Sequence, residues 1–298
     1  MGKMKMPPRQ TTAAGLLIAW RLARSLMHIA TGAALCALIF PWLSQRRRAP
    51  LVGWWARGFL AALGIRVRVH GVWPATPGRY LLASNHITWL DIFVIHSVKP
   101  VRFVSKAEVR RWPLAGFLAQ SAGTLFLDRT RKRDTRDVGA QMLGALAEGQ
   151  ALGIFPEGTT SDGSVLLPFF SPLLQPAVAA QAELVPTAIR YSLSDGSPNV
   201  GLAFIGEQTF LESVTITLQQ PLTEVDLYFG APMASTGLNR RELTQRVETA
   251  VAALLNVKVD RHWRAPAGPA GATTPSSTPM HARSRQRDEA ASEDQAAG

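Results

Sequence analysis

The chain has a single cysteine, Cys36, among its 298 residues, and not one Asp or Glu before Asp91. One thiol excludes an intramolecular disulfide and a metal cluster built on cysteines alone. Cys36 sits in an apolar run and reads as a small packing residue. Several signatures are also missing. Without a G-x-S-x-G elbow the usual serine-hydrolase arrangement is excluded. There is no H-E-x-x-H and no Cys/His cluster, so nothing points to zinc. G-x-x-x-x-G-K-[ST] is absent, and no G-x-G-x-x-G follows a strand, which argues against P-loop and dinucleotide sites.

The missing acids leave an asymmetric charge pattern. The net charge is +11 and the pI about 10.7, and twelve Lys and Arg precede Asp91 in the most apolar part of the chain. Basic residues flanking apolar helices suit an anionic lipid surface. A nucleic-acid groove would instead intersperse cations with stacking aromatics on a polar face. The stretch from 12 to 43 reads as a helix interrupted by Arg21 and Arg24. Its segment 26–43 would reach about 27 Å, enough to cross a hydrocarbon core, and Pro41 distorts its end. Arg46-Arg47-Arg48 reads as a cytoplasmic-side signal, although the N-terminal flank is basic too. A second apolar stretch, 51–65, follows. Either one span or a helical hairpin dipping into one leaflet fits. No small-x-small cleavage site marks a signal peptide.

From Ile65 the texture changes to alternating strands and helices. "IRVRVHG", "RYLLASN", "VRFVSK", "GTLFLD", "ALGIFPEG", "ELVPTAIRY", "VTITLQQ" and "VDLYFG" read as strands. Helices are expected from Trp89 to Ser97, over "RKRDTRDVGAQMLGALAEG" and from Leu238 to Val257. The pattern predicts an α/β fold, a mixed central sheet flanked by helices, with an N-terminal apolar helical anchor. Three parts follow: an anchor over 1–64, a catalytic domain over 65–262, and a tail over 263–298 too poor in apolar residues to order itself.

Three constellations carry chemistry. In "SNHITWLDIF", His86 and Asp91 are five residues apart, about 140° around an ideal helix. They meet only if His86 lies in the loop before a helix that holds Asp91 in its second turn. A carboxylate on one ring nitrogen fixes the tautomer and leaves the other free to take a proton. In "GIFPEGTTSDG", a buried strand runs into Glu157, Gly158, Thr159 and Thr160. Gly158 allows close backbone approach, and the hydroxyls offer donors to an anionic head group or an oxyanion. A basic set, Lys106 among them, leads to Arg129 at a strand end, where a guanidinium is placed for bidentate phosphate binding.

Together these pieces resemble the membrane-bound glycerolipid acyltransferases, which include the lysophosphatidate acyltransferases. The N-H-x-x-x-x-D block matches Asn85-His86 through Asp91. The second block resembles "VRFVSKAEVRRWPLAGFLAQSAGTLFLDR", F-P-E-G-T matches Phe155 to Thr159, and a Val-Pro in an apolar strand matches Val185-Pro186. The four occur in the family's order over about residues 60 to 260. The resemblance implies that His86 takes the proton of a lysolipid hydroxyl, Asp91 orients it, and the oxygen attacks an acyl thioester. Arg129 and Lys106 would hold the acceptor head group, with Glu157, Gly158 and Thr159 shaping its site.

The resemblance implies no metal and no cofactor. Acyl-coenzyme A or acyl carrier protein enters as co-substrate, membrane lipids and the lysolipid are the partners, and nucleic acid is not. The expected location is the cytoplasmic face of the inner membrane. The first acceptor reading is 1-acyl-sn-glycerol-3-phosphate, giving phosphatidate. One departure bears on it: phosphatidate-forming members usually carry an arginine after F-P-E-G-T, and here Thr160 stands there. "EGTTSDG" followed by "LPF" resembles the branch that acylates lyso-ornithine lipids, the alternative. A reading from another class is a non-catalytic membrane-surface binding protein on the same fold.

Overall fold

A computed structural model describes residues 12–76, 78–128 and 132–263. Two helices lead, α1 (Thr12–Ala34) and α2 (Gln45–Leu63). Then come β1 (Ile65–His70), β2 (Tyr80–Ser84), α3 (Asp91–Val98), β3 (Arg102–Lys106), α4 (Ala115–Ser121), β4 (Leu125–Leu127), α5 (Lys132–Ala147) and β5 (Leu152–Ile154). α6 (Gln175–Ala179), β6 (Glu183–Ser192), α7 (Phe210–Gln219), β7 (Thr223–Phe229), β8 (Met233–Ala234) and α8 (Arg240–Leu255) complete the order. The strands form one sheet in the order β1-β7-β6-β2-β5-β3-β4, with β8 paired to β6.

From β6 through β2, β5 and β3 to β4 all pairs are parallel, and β7 runs antiparallel to β6. A parallel sheet must be covered on both faces, because its crossovers place helices there. The sequence obeys this. β2 is buried at every position, Tyr80 to Ser84. Its Leu81 and Ala83 face the cluster of Val138, Met142 and Leu146 from α5 and Val247 and Val251 from α8. Its Tyr80 and Leu82 face the cluster of Phe59 and Leu60 from α2 and Val94 and Ile95 from α3. The result is an α/β layer structure with a mixed central sheet, as expected.

α1 and α2 form a hairpin. After Ala34 the helix loosens into a π turn, Leu35–Ile39, and a 3-10 turn, Phe40–Trp42, containing Pro41. His28 and Trp55 lock the hairpin, each ring nitrogen bonding the other's backbone carbonyl at 2.7 and 2.8 Å, with the rings stacked. The stretch Gly15–Trp42 is long and apolar enough to cross a membrane, and Leu16, Trp20, Leu26, Met27 and Trp42 are exposed on it. Arg21 is buried and donates to the carbonyls of Leu218 and Gln220, which seats α1 on the body.

Two expectations are corrected. "VTITLQQ" lies in helix α7, not a strand. Thr209 and Glu212 cap it reciprocally, and Thr215 and Thr217 turn their hydroxyls onto the carbonyls of Leu211 and Ser213. The β-branched run suggested a strand, but the capping box T-x-x-E was the stronger signal. The arginine triplet follows the apolar stretch Gly15–Trp42 and opens α2, where Arg48 donates to the carbonyls of Leu43 and Ser121 and Arg46 to that of Glu148. Asp91 begins α3 and lies in its first turn, not its second. The expected tail falls almost wholly on residues 264–298, outside the described residues.

Candidate active site

The parallel strands β2, β5, β3 and β4 end on one edge of the sheet. In open α/β sheets the crevice beyond the carboxyl ends of the strands is where ligands bind. His86 follows β2, the 155–161 loop follows β5, Lys106 ends β3, and Asp128 follows β4.

The turn carrying His86 is held on all sides. Asn85 is buried, and its amide makes a reciprocal pair with the backbone of Ile189 on β6, at 3.0 and 2.8 Å. The His86 carbonyl accepts from the Ser161 amide at 2.9 Å, and the Ile87 carbonyl from the Phe204 amide at 2.9 Å. The His86 ring stacks on Phe155, centroids 4.1 Å apart, and Phe155 in turn stacks on Phe103.

Asp91 has no exposed surface. Its Oδ2 lies 2.7 Å from His86 Nδ1 and also accepts from the amides of Ile87, at 2.7 Å, and Thr88, at 3.0 Å. Its Oδ1 accepts from the Tyr191 hydroxyl at 2.7 Å. Tyr191 is fully buried, and that burial, with the Asp91 charge and hydrogen bond, pushes its phenol well above its ordinary value, so it stays a donor. A carboxylate so engaged accepts the hydrogen bond from His86 Nδ1–H, which keeps that proton on Nδ1 and leaves Nε2 as the acceptor. The His86 side chain keeps 21% of its surface, enough to meet a substrate.

Glu157 lies beneath this turn. It is 3% exposed, and its two oxygens accept from the amides of His86, at 2.6 Å, and Leu167, at 2.9 Å. Burial pushes its carboxyl up to about 8, against the opposing pull of these two hydrogen bonds. Both Glu157 oxygens are thus engaged by the backbone. Glu157 sets the height of the His86 backbone. Gly158 has φ +75°, a conformation that favours glycine, and turns the loop back toward the edge. Thr159 is half-buried there. Thr160 turns its hydroxyl onto the Phe204 carbonyl, which ties the loop to the 200–204 segment.

Lys106 is exposed at the same edge. Arg129 lies outside the described residues, one position past Asp128. Tyr191 and Asn85's grip on β6 were not read from the sequence. The available signal for Tyr191 was its place on a buried strand alternating with Ile189 on one face.

This geometry can be set against known proteins. A family model described as Acyltransferase matches residues 66–190. A lyso-ornithine lipid O-acyltransferase of Pseudomonas aeruginosa is 38% identical over 248 residues, which cover 80% of this chain and 93% of that protein. The chain belongs to the acyltransferase family. A 1-acyl-sn-glycerol-3-phosphate acyltransferase of Neisseria meningitidis serogroup B is 34% identical over 201 residues, covering 67% of this chain and 78% of that protein. The crystal structure of the 1-acyl-sn-glycerophosphate acyltransferase of Thermotoga maritima superposes with a TM-score of 0.61 over 82% of this chain and 95% of that chain, at 18% identity, and shares the fold. The matched segment, 66–190, contains both blocks of the candidate site, His86 to Asp91 and Phe155 to Thr160.

Proposed function

We propose that this acyltransferase moves a fatty acyl group from an acyl thioester, acyl-coenzyme A or acyl carrier protein, to the free hydroxyl of a lysolipid. The observation that carries the reading is the 2.7 Å contact of His86 Nδ1 with a carboxylate that receives three further donors. His86 Nε2 takes the hydroxyl proton as the oxygen attacks the thioester carbonyl. The tetrahedral centre collapses with loss of the thiolate, which the His86 proton then neutralises. Asp91 stabilises the imidazolium in between. No covalent enzyme intermediate is needed. Lys106 and Arg129 hold the head group, Gly158 and Thr159 line its site, and the exposed apolar face of α1 sets the site at a membrane surface, on its cytoplasmic side.

Two acceptors fit. Lysophosphatidate, the first reading, suits a basic strand edge and the Neisseria relative. A lyso-ornithine lipid is favoured by Thr160, whose hydroxyl is turned inward where an arginine would reach a phosphate, and by the Pseudomonas relative. The test is transfer of labelled acyl groups by the membrane fraction, with both lysolipids and both donors offered side by side. Product from neither acceptor, while His86→Ala is equally inactive on both, sinks the reading. Product from one alone assigns the head group. Thr160→Arg should then move selectivity toward the phosphate-bearing acceptor, and unchanged selectivity would remove position 160 from the head-group site.

A further inference from the structure

A cavity of about 340 Å³ opens at the other edge of the sheet. Its walls include Tyr80 and Arg102, the first residues of β2 and β3, and Ala151, just before β5. The His86 turn lies at the far ends of these same strands, a strand length of about 16 Å away. The cavity is thus separate from the site described above, and its volume is that of a small-ligand pocket.

Its chemistry is one-sided. Arg46, Lys99 and Arg102 line it, and no acidic side chain does so among the described residues. The guanidiniums are held by neutral acceptors. Arg102 donates to the Gly123 carbonyl and the Gln150 side-chain oxygen, both at 2.8 Å, and Arg46 to the Glu148 carbonyl at 3.0 Å. These bonds aim the cations without neutralising them. The Lys99 ammonium lies over the Trp73 ring, 5.1 Å from its centroid, and burial pushes its value down. Outside the wall, the exposed Glu148 carboxylate is bonded to the Gln150 amide at 2.6 Å and offsets one of the three charges. Two remain.

A histidine on the wall can report on what fills the cavity. His96, on the wall, is 6% exposed, and its Nδ1 has no hydrogen-bond partner. Native interiors rarely leave such a nitrogen unpaired. Burial pushes the ring down to about 4, so at neutral pH it is an uncharged imidazole with one N–H to give. Trp73 and Tyr80 add aromatic surface beside these donors.

We propose that this cavity binds a phosphate group, carried by a soluble phosphate ester or by a lipid head group, between Lys99, Arg46 and Arg102, with the His96 ring on its wall. It is a second anion site, and it does not depend on which acceptor the catalytic edge takes. The experiment uses the full chain in detergent micelles. Calorimetric titration with inorganic phosphate at low ionic strength gives the affinity, and histidine-ring nitrogen resonances, with His96 and His86 assigned by single replacement, give the location. Saturable binding should shift His96. Lys99→Met and Arg46→Gln should each weaken it at least about tenfold, the loss of a charge-assisted contact, while acyl transfer stays unchanged. Arg46 is exposed, so its variant carries the test if Lys99→Met fails to fold. Phosphatidylglycerol in mixed micelles acting below the phosphate concentration assigns a lipid head group, and the reverse order assigns a soluble ester; both sustain the proposal. No saturable binding, undiminished affinity in the variants, or shifts confined to His86 overturns it.

Discussion

Replacing Asp91 by Asn removes a charge and keeps the shape, and the surrounding donors dictate what happens next. Oδ2 faces three donors, His86 Nδ1 and the amides of Ile87 and Thr88. Two of these are backbone N–H groups that cannot rotate away, so the Asn oxygen must occupy this position. The amide nitrogen then faces Tyr191, whose hydroxyl can turn to accept. His86 Nδ1 still donates, and the reactive tautomer survives. What is lost is the charge on one hydrogen bond to the imidazolium formed during transfer. A bond to a charged group is worth about 1.5–3 kcal/mol and a neutral one about 0.5–1.5. The difference of about 1–1.5 kcal/mol predicts a fall in kcat of roughly 5- to 13-fold. A flipped amide would impose the wrong tautomer and cost about 10⁴. Initial rates at saturating donor and acceptor decide between these, with thermal unfolding as the control for fold. Loss as deep as that of His86→Ala would refute the argument that the two amides fix the Asn. Undiminished kcat would refute any electrostatic contribution from Asp91.

His86→Ala should lower kcat by about 10²–10⁴, the usual contribution of a positioned base, with an unchanged thermal transition; near-normal turnover would end the mechanism. Tyr191→Phe leaves Asp91 Oδ1 without its buried donor and should cost about 1–3 kcal/mol of unfolding free energy, seen in denaturant titration, with a smaller effect on rate; no loss of stability would remove the contact from the account. Glu157, raised from 4.5 to about 8 by burial, binds its proton more tightly folded than unfolded, so its contribution is full below about 4.5 and is lost as pH rises to about 8. Glu157→Gln should flatten the fall of melting temperature across that window, although one backbone N–H then faces the amide nitrogen and lowers stability overall; an equal slope in both proteins would refute the assignment.

The sequence carried those parts of the site whose partners are near in the chain. His86 and Asp91 are five residues apart, and their meeting needs only a loop before a helix start. Even there the turn was placed wrongly, because Asp91 reaches back to cap its own approach loop through Ile87 and Thr88. The buried strands were legible because a sheet covered on both faces demands unbroken apolar runs, and "YLLA" and "ELVPTAIRY" supply them. Contacts across the chain were not legible. Tyr191 meets Asp91 over 100 residues. Thr160 meets Phe204 over 44. Glu157 reads as a ligand-facing acid until its burial is known. Only tertiary packing decides whether a polar residue after a strand looks outward or inward.

That inward turn of Glu157 explains why the site needs two acidic blocks so far apart. Between Ser84 and Asp91 the backbone follows neither strand nor helix, so its amides have no ladder to pair with. Buried amides left unpaired would each cost about 1–3 kcal/mol. Glu157 takes the amide of His86, and Asp91 takes those of Ile87 and Thr88. Three successive N–H groups are thus satisfied by two carboxyl groups, one from either side. The histidine between them is fixed in height by Glu157, in tautomer by Asp91 and in tilt by Phe155. Removing either carboxyl group therefore perturbs the base through its backbone as well as through its ring. An isosteric amide preserves the acceptor for the backbone at position 91, where one oxygen faces the amides. At position 157 it cannot, because both oxygens accept. Asp91→Asn should therefore give the folded, slowed enzyme, and Glu157→Gln the one whose defect begins in stability.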